Sequence, residues 1–188
     1  MRMATKPAKR GVLRWTRADL ERLPDDGNRY EVLDGKLFVT PQAAFGHQFV
    51  AFELARQLAD YCKRHDAGFV VGPGAIIFGQ NELQPDVQVC PGAPPPVTTR
   101  WQQLPAPILV AEVLSDSTRR RDLGDKRDAY VRRRKIPDYW IVDLAERHVV
   151  TWKPGWAEPV VVTGVLRWQP LPAVPPLGIL VESIFPPR

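Results

Sequence analysis

Seven consecutive residues, Ile108-Leu109-Val110-Ala111-Glu112-Val113-Leu114, constrain this chain more than any other stretch. All but one are apolar, which reads as a short strand buried on both faces. Alternation with period two puts Glu112 on the face of Ile108, Val110 and Leu114. A carboxylate there does not meet bulk water. Left uncompensated it costs several kcal/mol or neutralises through a pKa shift, so Glu112 needs a cation partner, either a metal or a basic side chain. Upstream, Pro85-Asp86 opens the alternating run Asp86-Val87-Gln88-Val89-Cys90, with Val87 and Val89 on one face and Asp86 and Gln88 on the other. Downstream, a basic helix carries Lys126, which shares a stripe with Leu123 and Tyr130 at i, i+3, i+7 spacing and so points toward packed residues.

The charge of the chain is concentrated in that helix. Residues 119–135 hold nine basic and three acidic residues, a net of +6 against +5 for the whole chain, so the remainder is about neutral. A basic helix beside two carboxylates suits a phosphate-bearing partner. A solvated helix face with intrahelical ion pairs explains the same run taken alone. At 188 residues with 44% hydrophobic and 25% charged composition, the chain suits one domain over 15–188, with a core over about 28–153. Residues 1–14 read as a basic tail with no apolar segment behind it, hence no secretory signal, and no apolar run reaches the ~20 residues that cross a bilayer. The expected location is the cytoplasm, away from membranes. Cys62 and Cys90 are too few for a disulfide framework, lack zinc-site spacing and read as small core residues.

In chain order, Thr16 as N-cap with Asp19 three residues on, flanked by Trp15 and Leu20, predicts a helix of about two turns ending at Pro24. Asp34-Gly35 between Tyr30-Glu31-Val32-Leu33 and Lys36-Leu37-Phe38-Val39 predicts a β-hairpin over 29–40. A helix follows over 47–65, with His47 on its inward stripe and Gly68 as its stop. Residues 69–78 read as one strand kinked at Gly72-Pro73-Gly74, and 81–84 as a turn into the Asp86 strand. A long proline-rich loop spans 91–107. Ser115-Asp116-Ser117 can cap the basic helix, which runs over about 118–134 until Ile136-Pro137. Strands are predicted at 139–142, 148–152, 160–168 and 179–181. The whole reads as α+β (α/β), a mixed central sheet flanked by helices, with an N-terminal hairpin and a β-rich C-terminal extension.

This succession resembles the restriction-endonuclease-like core, named for its PD-(D/E)XK motif. More closely, the residues Tyr30 to Leu37, His47, Pro85-Asp86-Val87, Glu112-Val113-Leu114-Ser115, the Asp122, Lys126 and Tyr130 spacing, and Tyr139-Trp140-Ile141-Val142-Asp143 are similar to the Uma-two family of bacterial endonucleases. The resemblance implies Asp86 and Glu112 as metal ligands, Lys126 as the catalytic lysine, and Glu31 and His47 as accessory residues. It departs from the wider motif at Leu114, where a lysine is expected; the Uma-type pattern moves that lysine to Lys126. It departs again at Lys135, where a glycine commonly sits, and a left-handed backbone at that position costs a non-glycine residue up to ~1 kcal/mol.

Read without the resemblance, Asp86 equally suits a turn cap after proline, Lys126 a structural ion pair, His47 a helix-terminal polar residue, and Glu31 a solvent-facing hairpin residue. Tyr30, Tyr130, Tyr139 and Trp140 read as core. Hard oxygen ligands favour Mg²⁺, or Mn²⁺ in vitro, over zinc. The expected function is a Mg²⁺-dependent endonuclease on nucleic acid, DNA foremost, with Arg119, Arg120, Arg121 and Arg127 on the phosphate backbone. Superfamily members often work as dimers, so a homo-oligomer (dimer or higher) is expected. The alternatives are a non-cleaving nuclease-fold DNA-binding or regulatory module, and a self-associating structural protein.

Overall fold

The computed structural model describes residues 14–115 and 119–187. The expected tail over 1–14 and the cap at Asp116-Ser117 therefore lie almost wholly outside the described residues. A first turn of helix, α1 (Arg17–Leu20), begins where Asp19 Oδ2 accepts hydrogen bonds from the Thr16 backbone N–H and hydroxyl, both at 2.8 Å. It is half the predicted length and runs out into a turn, in which the Arg22 and Leu23 N–H groups donate to the Asp19 and Leu20 carbonyls. Strands β1 (Arg29–Leu33) and β2 (Lys36–Thr40) form the expected hairpin. Asp34 and Gly35 both take positive φ, 54° and 79°, as a two-residue hairpin turn requires.

Helix α2 (Phe45–His65) buries His47, Val50, Leu54, Leu58, Tyr61 and Cys62 along one stripe. It ends in a left-handed Asp66 and not at Gly68. Gly68 serves another purpose, since a Cβ there would collide with the Cys90 carbonyl oxygen across the neighbouring strand. Strand β3 (Phe69–Val71) and strand β4 (Ile76–Phe78) are not one kinked strand. They belong to different sheets, and the Gly72-Pro73-Gly74 break carries the chain between them. The glycines are needed because a Cβ at Gly72 would strike the Asp86 carbonyl and one at Gly74 the Trp101 ring. Residues 81–83, expected as a turn, form β5 (Asn81–Leu83), which pairs with both β4 and β1.

Strands β6 (Val87–Cys90), β7 (Leu109–Val113), β8 (Asp138–Asp143), β9 (His148–Trp152) and β10 (Val160–Val162) follow, with β7 and β8 parallel and the other pairs antiparallel. The large sheet has the order β10-β9-β8-β7-β6-β3, and a small one the order β2-β1-β5-β4. The predicted strand over 160–168 is again two: β11 (Val165–Trp168) leaves the large sheet and pairs with β12 (Leu177–Leu180). One face of the large sheet packs Val87, Val89, Ala111, Val113 and Trp140 against α2. The other face packs Val110, Leu114, Tyr139 and Ile141 against the hairpin and the basic helix. Glu112 lies on that second face, between the two sheets.

The basic helix begins as α3 (Arg119–Arg121) and continues in π-helical turns over Asp122–Lys126 and Asp128–Arg133. This wider winding changes which residues point inward. Asp122, Lys126 and Tyr130, four residues apart, are buried, while Leu123 is only half-buried. The helix closes through Lys135 at φ 55°, the left-handed residue expected there.

Candidate active site

Four buried carboxyl groups and three cations meet where the small sheet, the large sheet and the π-helix converge. Lys126 is fully buried, and its Nζ stands 2.7 Å from Glu112 Oε1, 2.8 Å from Glu31 Oε1 and 3.7 Å from Asp122 Oδ1. Glu112 comes from β7, Glu31 from β1 and Asp122 from the helix, so one ammonium ties three elements together. Arg121 adds a second cation at 3.2 Å from Glu31 Oε2 and 3.6 Å from Asp122 Oδ1. Tyr130 donates its hydroxyl to Glu112 Oε1 at 3.3 Å, and Tyr139 donates to the Asp122 carbonyl at 3.0 Å.

Asp86, just ahead of β6, forms the other end of the site. Its Oδ1 accepts from Arg29 Nη1 at 2.8 Å; its Oδ2 accepts from the Val113 N–H at 2.8 Å and stands 3.3 Å from His47 Nε2. The Val113 bond seats this carboxylate against the strand that carries Glu112. His47 is buried at the start of α2, and its Nδ1 has no hydrogen-bond partner among the described residues. Arg29, His47 and Asp86 line a groove of about 360 Å³ open to solvent, whereas Lys126, Glu31 and Glu112 lie behind it.

The two carboxylates expected as a pair sit in opposite electrostatic states. Burial alone would raise the Asp86 carboxyl, but His47, the Arg29 charge and the Val113 N–H outweigh it and hold Asp86 well below the usual carboxylate range. Burial pushes Glu112 up to about 8; Lys126 opposes this, while the charges of Asp122, Asp86 and Glu31 add to it. Burial also acts against the Lys126 charge, yet Glu112, Glu31 and Asp122 raise its pKa and keep the ammonium protonated. Glu31 is likewise lifted by burial but drawn below its ordinary value by Lys126 and Arg121.

The structure therefore brings Asp86, Glu112, Lys126, Glu31 and His47 into one constellation. It does not place the four arginines alike. Arg120 is exposed, Arg119 is half-exposed and pairs with Asp143 at 2.7 Å, and Arg127 lies over the Trp152 ring and pairs with Asp128. Arg121 is turned inward onto Glu31, with its side chain only 9% exposed, and faces away from any backbone in solvent. Sequence reasoning missed Arg29, Asp122 and Tyr130 as members of the site. Asp122 and Tyr130 carried a signal, their four-residue spacing about Lys126; Arg29 carried none.

Hard carboxylate oxygens are the donors a divalent cation of the Mg²⁺ class takes. The constellation holds four carboxyl groups against three fixed cations, and burial first, then the neighbouring carboxylates, raises Glu112. The donor chemistry thus fits such an ion. Among the described residues no three His, Cys, Asp or Glu side chains already stand together in ligand geometry.

A mixed sheet with a buried acidic site on one face, a helix-borne lysine and an α-helix on the other face is a restriction-endonuclease-like arrangement. The profile of the Uma2 family, described as "Putative restriction endonuclease", matches residues 17–182, and the chain belongs to that family. A crystal structure described as "a putative nuclease belonging to DUF820" from Anabaena variabilis ATCC 29413 shares the fold. Its TM-score is 0.67 at 16% sequence identity, over 90% of this chain and 97% of that one. No curated protein matches the chain. Family membership supports a nuclease function and a nucleic-acid substrate. Among the described residues no helix is long and apolar enough to cross a membrane.

Proposed function

We propose that this protein is a divalent-metal-dependent endonuclease hydrolysing phosphodiester bonds in DNA. One observation carries the reading: a fully buried Lys126 binds two carboxylates from different sheets, and one of them, Glu112, adjoins the Val113 N–H that seats a third carboxylate, Asp86, at an open groove. Charged groups are almost never buried in such numbers for packing alone, and clustered, strongly shifted pKa values mark functional sites. Asp86 and Glu112 would hold Mg²⁺, or Mn²⁺ in vitro. When bound, such an ion supplies a polarised phosphate oxygen and an acidified water.

The chain's own residues supply the remainder. Lys126 holds its proton and sets a fixed positive charge where negative charge develops on the phosphoryl group. Glu31 and Tyr130 orient that lysine and its carboxylate partner, and His47 Nε2 orients Asp86 at the groove. Counted with a divalent ion, the seven charged groups carry a net of one positive charge, which the single negative charge of a phosphodiester matches. Arg120 and the exposed arginines later in the helix contact the backbone around the cut.

The test is incubation of the purified protein with plasmid and oligonucleotide DNA and with RNA, in Mg²⁺, in Mn²⁺ and in chelator. Cleavage of DNA in metal, absent in chelator and lost in Asp86→Asn, Glu112→Gln and Lys126→Ala, is expected. Arg29 on Asp86 favours a second reading, a non-cleaving DNA-binding module whose carboxylates only anchor cations. Salt-sensitive DNA binding without cleavage in either metal would select it.

A further inference from the structure

We infer that Arg29 is a substrate-contacting residue that stands in for the metal on Asp86 in the metal-free site and turns to the scissile phosphate once the metal is bound. This rests on the proposed metal-dependent reading and adds a residue that is not among the site residues the resemblance implies.

Three observations place it apart from the other two cations. Lys126 is completely enclosed and binds two carboxylates, and Arg121 is nearly enclosed against Glu31 and Asp122. Arg29 alone of the three lines the open groove, with a side chain 19% exposed. It is also tied to a single carboxylate within ion-pair distance, where each of the others meets at least two: Nη1 donates to Asp86 Oδ1 at 2.8 Å and to the Gln84 carbonyl at 3.0 Å. Arg29 is the first residue of β1, at the mouth of the small sheet, so its guanidinium can change partner without disturbing the strand that carries Glu31. The groove beside it is large enough to take a phosphate group and its flanking sugar oxygens.

Electrostatics gives the direction of the exchange. A divalent ion on Asp86 would supply the positive charge that Arg29 now supplies, and two like charges on one carboxylate repel each other. The cheapest relief is for the more exposed charge to leave. Arg29 then faces the groove as a planar donor suited to two phosphate oxygens. The inference separates two quantities that move together for an ordinary structural residue: losing Arg29 should tighten metal binding and weaken catalysis.

The experiment is calorimetric titration of Mn²⁺ into the full chain, with single-turnover DNA cleavage at saturating Mn²⁺, for wild type, Arg29→Gln and Arg29→Lys. Arg29→Gln keeps a donor for the Gln84 carbonyl and removes the charge; circular dichroism checks its fold. Its Mn²⁺ affinity should rise about tenfold while its cleavage rate falls about a hundredfold. Arg29→Lys, which keeps the charge, should retain wild-type Mn²⁺ affinity and recover part of the rate. Unchanged or weaker Mn²⁺ affinity in Arg29→Gln, or full cleavage by it at saturating metal, overturns the inference and leaves the nuclease reading standing. A wild type that binds no Mn²⁺ overturns both. If Arg29→Gln does not fold, Arg29→Lys decides: loss of all activity with weakened Mn²⁺ binding marks Arg29 as structural and overturns the inference.

Discussion

The open and closed ends of the site hold the same kind of group, a buried carboxylate in or just ahead of a large-sheet strand, and treat it in opposite ways. Asp86 receives Arg29, the Val113 N–H and His47 for itself, and its carboxyl is held far down. Glu112 shares Lys126 with Glu31 and Asp122, and its carboxyl is pushed up to about 8. Burial is nearly equal at the two positions. The difference is the number of donors per carboxylate, so partner supply decides which acid stays charged in a dry site.

Removing Lys126 should break the comparison most completely. Lys126→Ala leaves Glu31, Glu112 and Asp122 without their shared cation and should cost about 3–5 kcal/mol, read as a fall in urea midpoint at pH 7.5. Adding Glu112→Gln should recover part of that loss, because one fewer anion then lacks a partner.

Single neutralisations at the two ends should differ in sign. In chelator at pH 8, Asp86→Asn should destabilise by roughly 2 kcal/mol, since Arg29 keeps its buried charge and loses its carboxylate. Glu112→Gln should stabilise by roughly 1–2 kcal/mol, since the constellation sheds its excess negative charge. Equal shifts for the two variants in thermal melts would contradict the assignment of Glu112 as the carboxyl in excess.

The same contrast sets the pH dependence of the metal-free protein. Between an unfolded value near 4.5 and about 8, the folded state binds a proton at Glu112 that the unfolded state has lost. Stability should therefore fall as pH rises across that window, by a few kcal/mol at most, and the slope should vanish in Glu112→Gln. Asp86 acts in the reverse direction: its depressed value contributes stability above an unfolded value near 3.8, lost as pH falls below it. Denaturant midpoints from pH 3 to pH 8.5 should thus pass through a maximum at roughly pH 4, in the gap between the two windows.

The smallest expected effect lies outside both ends. Lys135 holds a left-handed conformation at φ 55°, so Lys135→Gly should add about 0.5–1 kcal/mol and leave Mn²⁺ binding at the site unchanged. A loss of metal affinity would tie the helix end to the site.

Much of this molecule was legible in its sequence because the signals were local. Asp34-Gly35 requires a hairpin through the φ values of two residues, and the stripe from Val50 to Cys62 requires a helix with one buried face. The apolar strand around Glu112 required a cation, and Lys126 is one. Strand alternation also assigned Asp86 and Gln88 to the face opposite Val87 and Val89, where the site lies. Each of these follows from backbone periodicity and the cost of an unpaired buried charge, both properties of a few adjacent residues.

Only the tertiary structure decided who shares the charge. Glu31 in a hairpin strand is solvent-facing by local rules; it is buried because β5 pairs with β1 and presents the Gln84 N–H to its carboxylate at 2.8 Å. Arg29 reaches Asp86 across 57 positions, and nothing in either neighbourhood reports the other. The division of 69–78 between two sheets, the inward turn of Arg121 and the π-helical winding that swings Asp122 under Lys126 are equally non-local. Periodicity tells a chain which faces turn inward, but the partner of a buried charge is set by strand order and register, which are settled by all the contacts of the fold together.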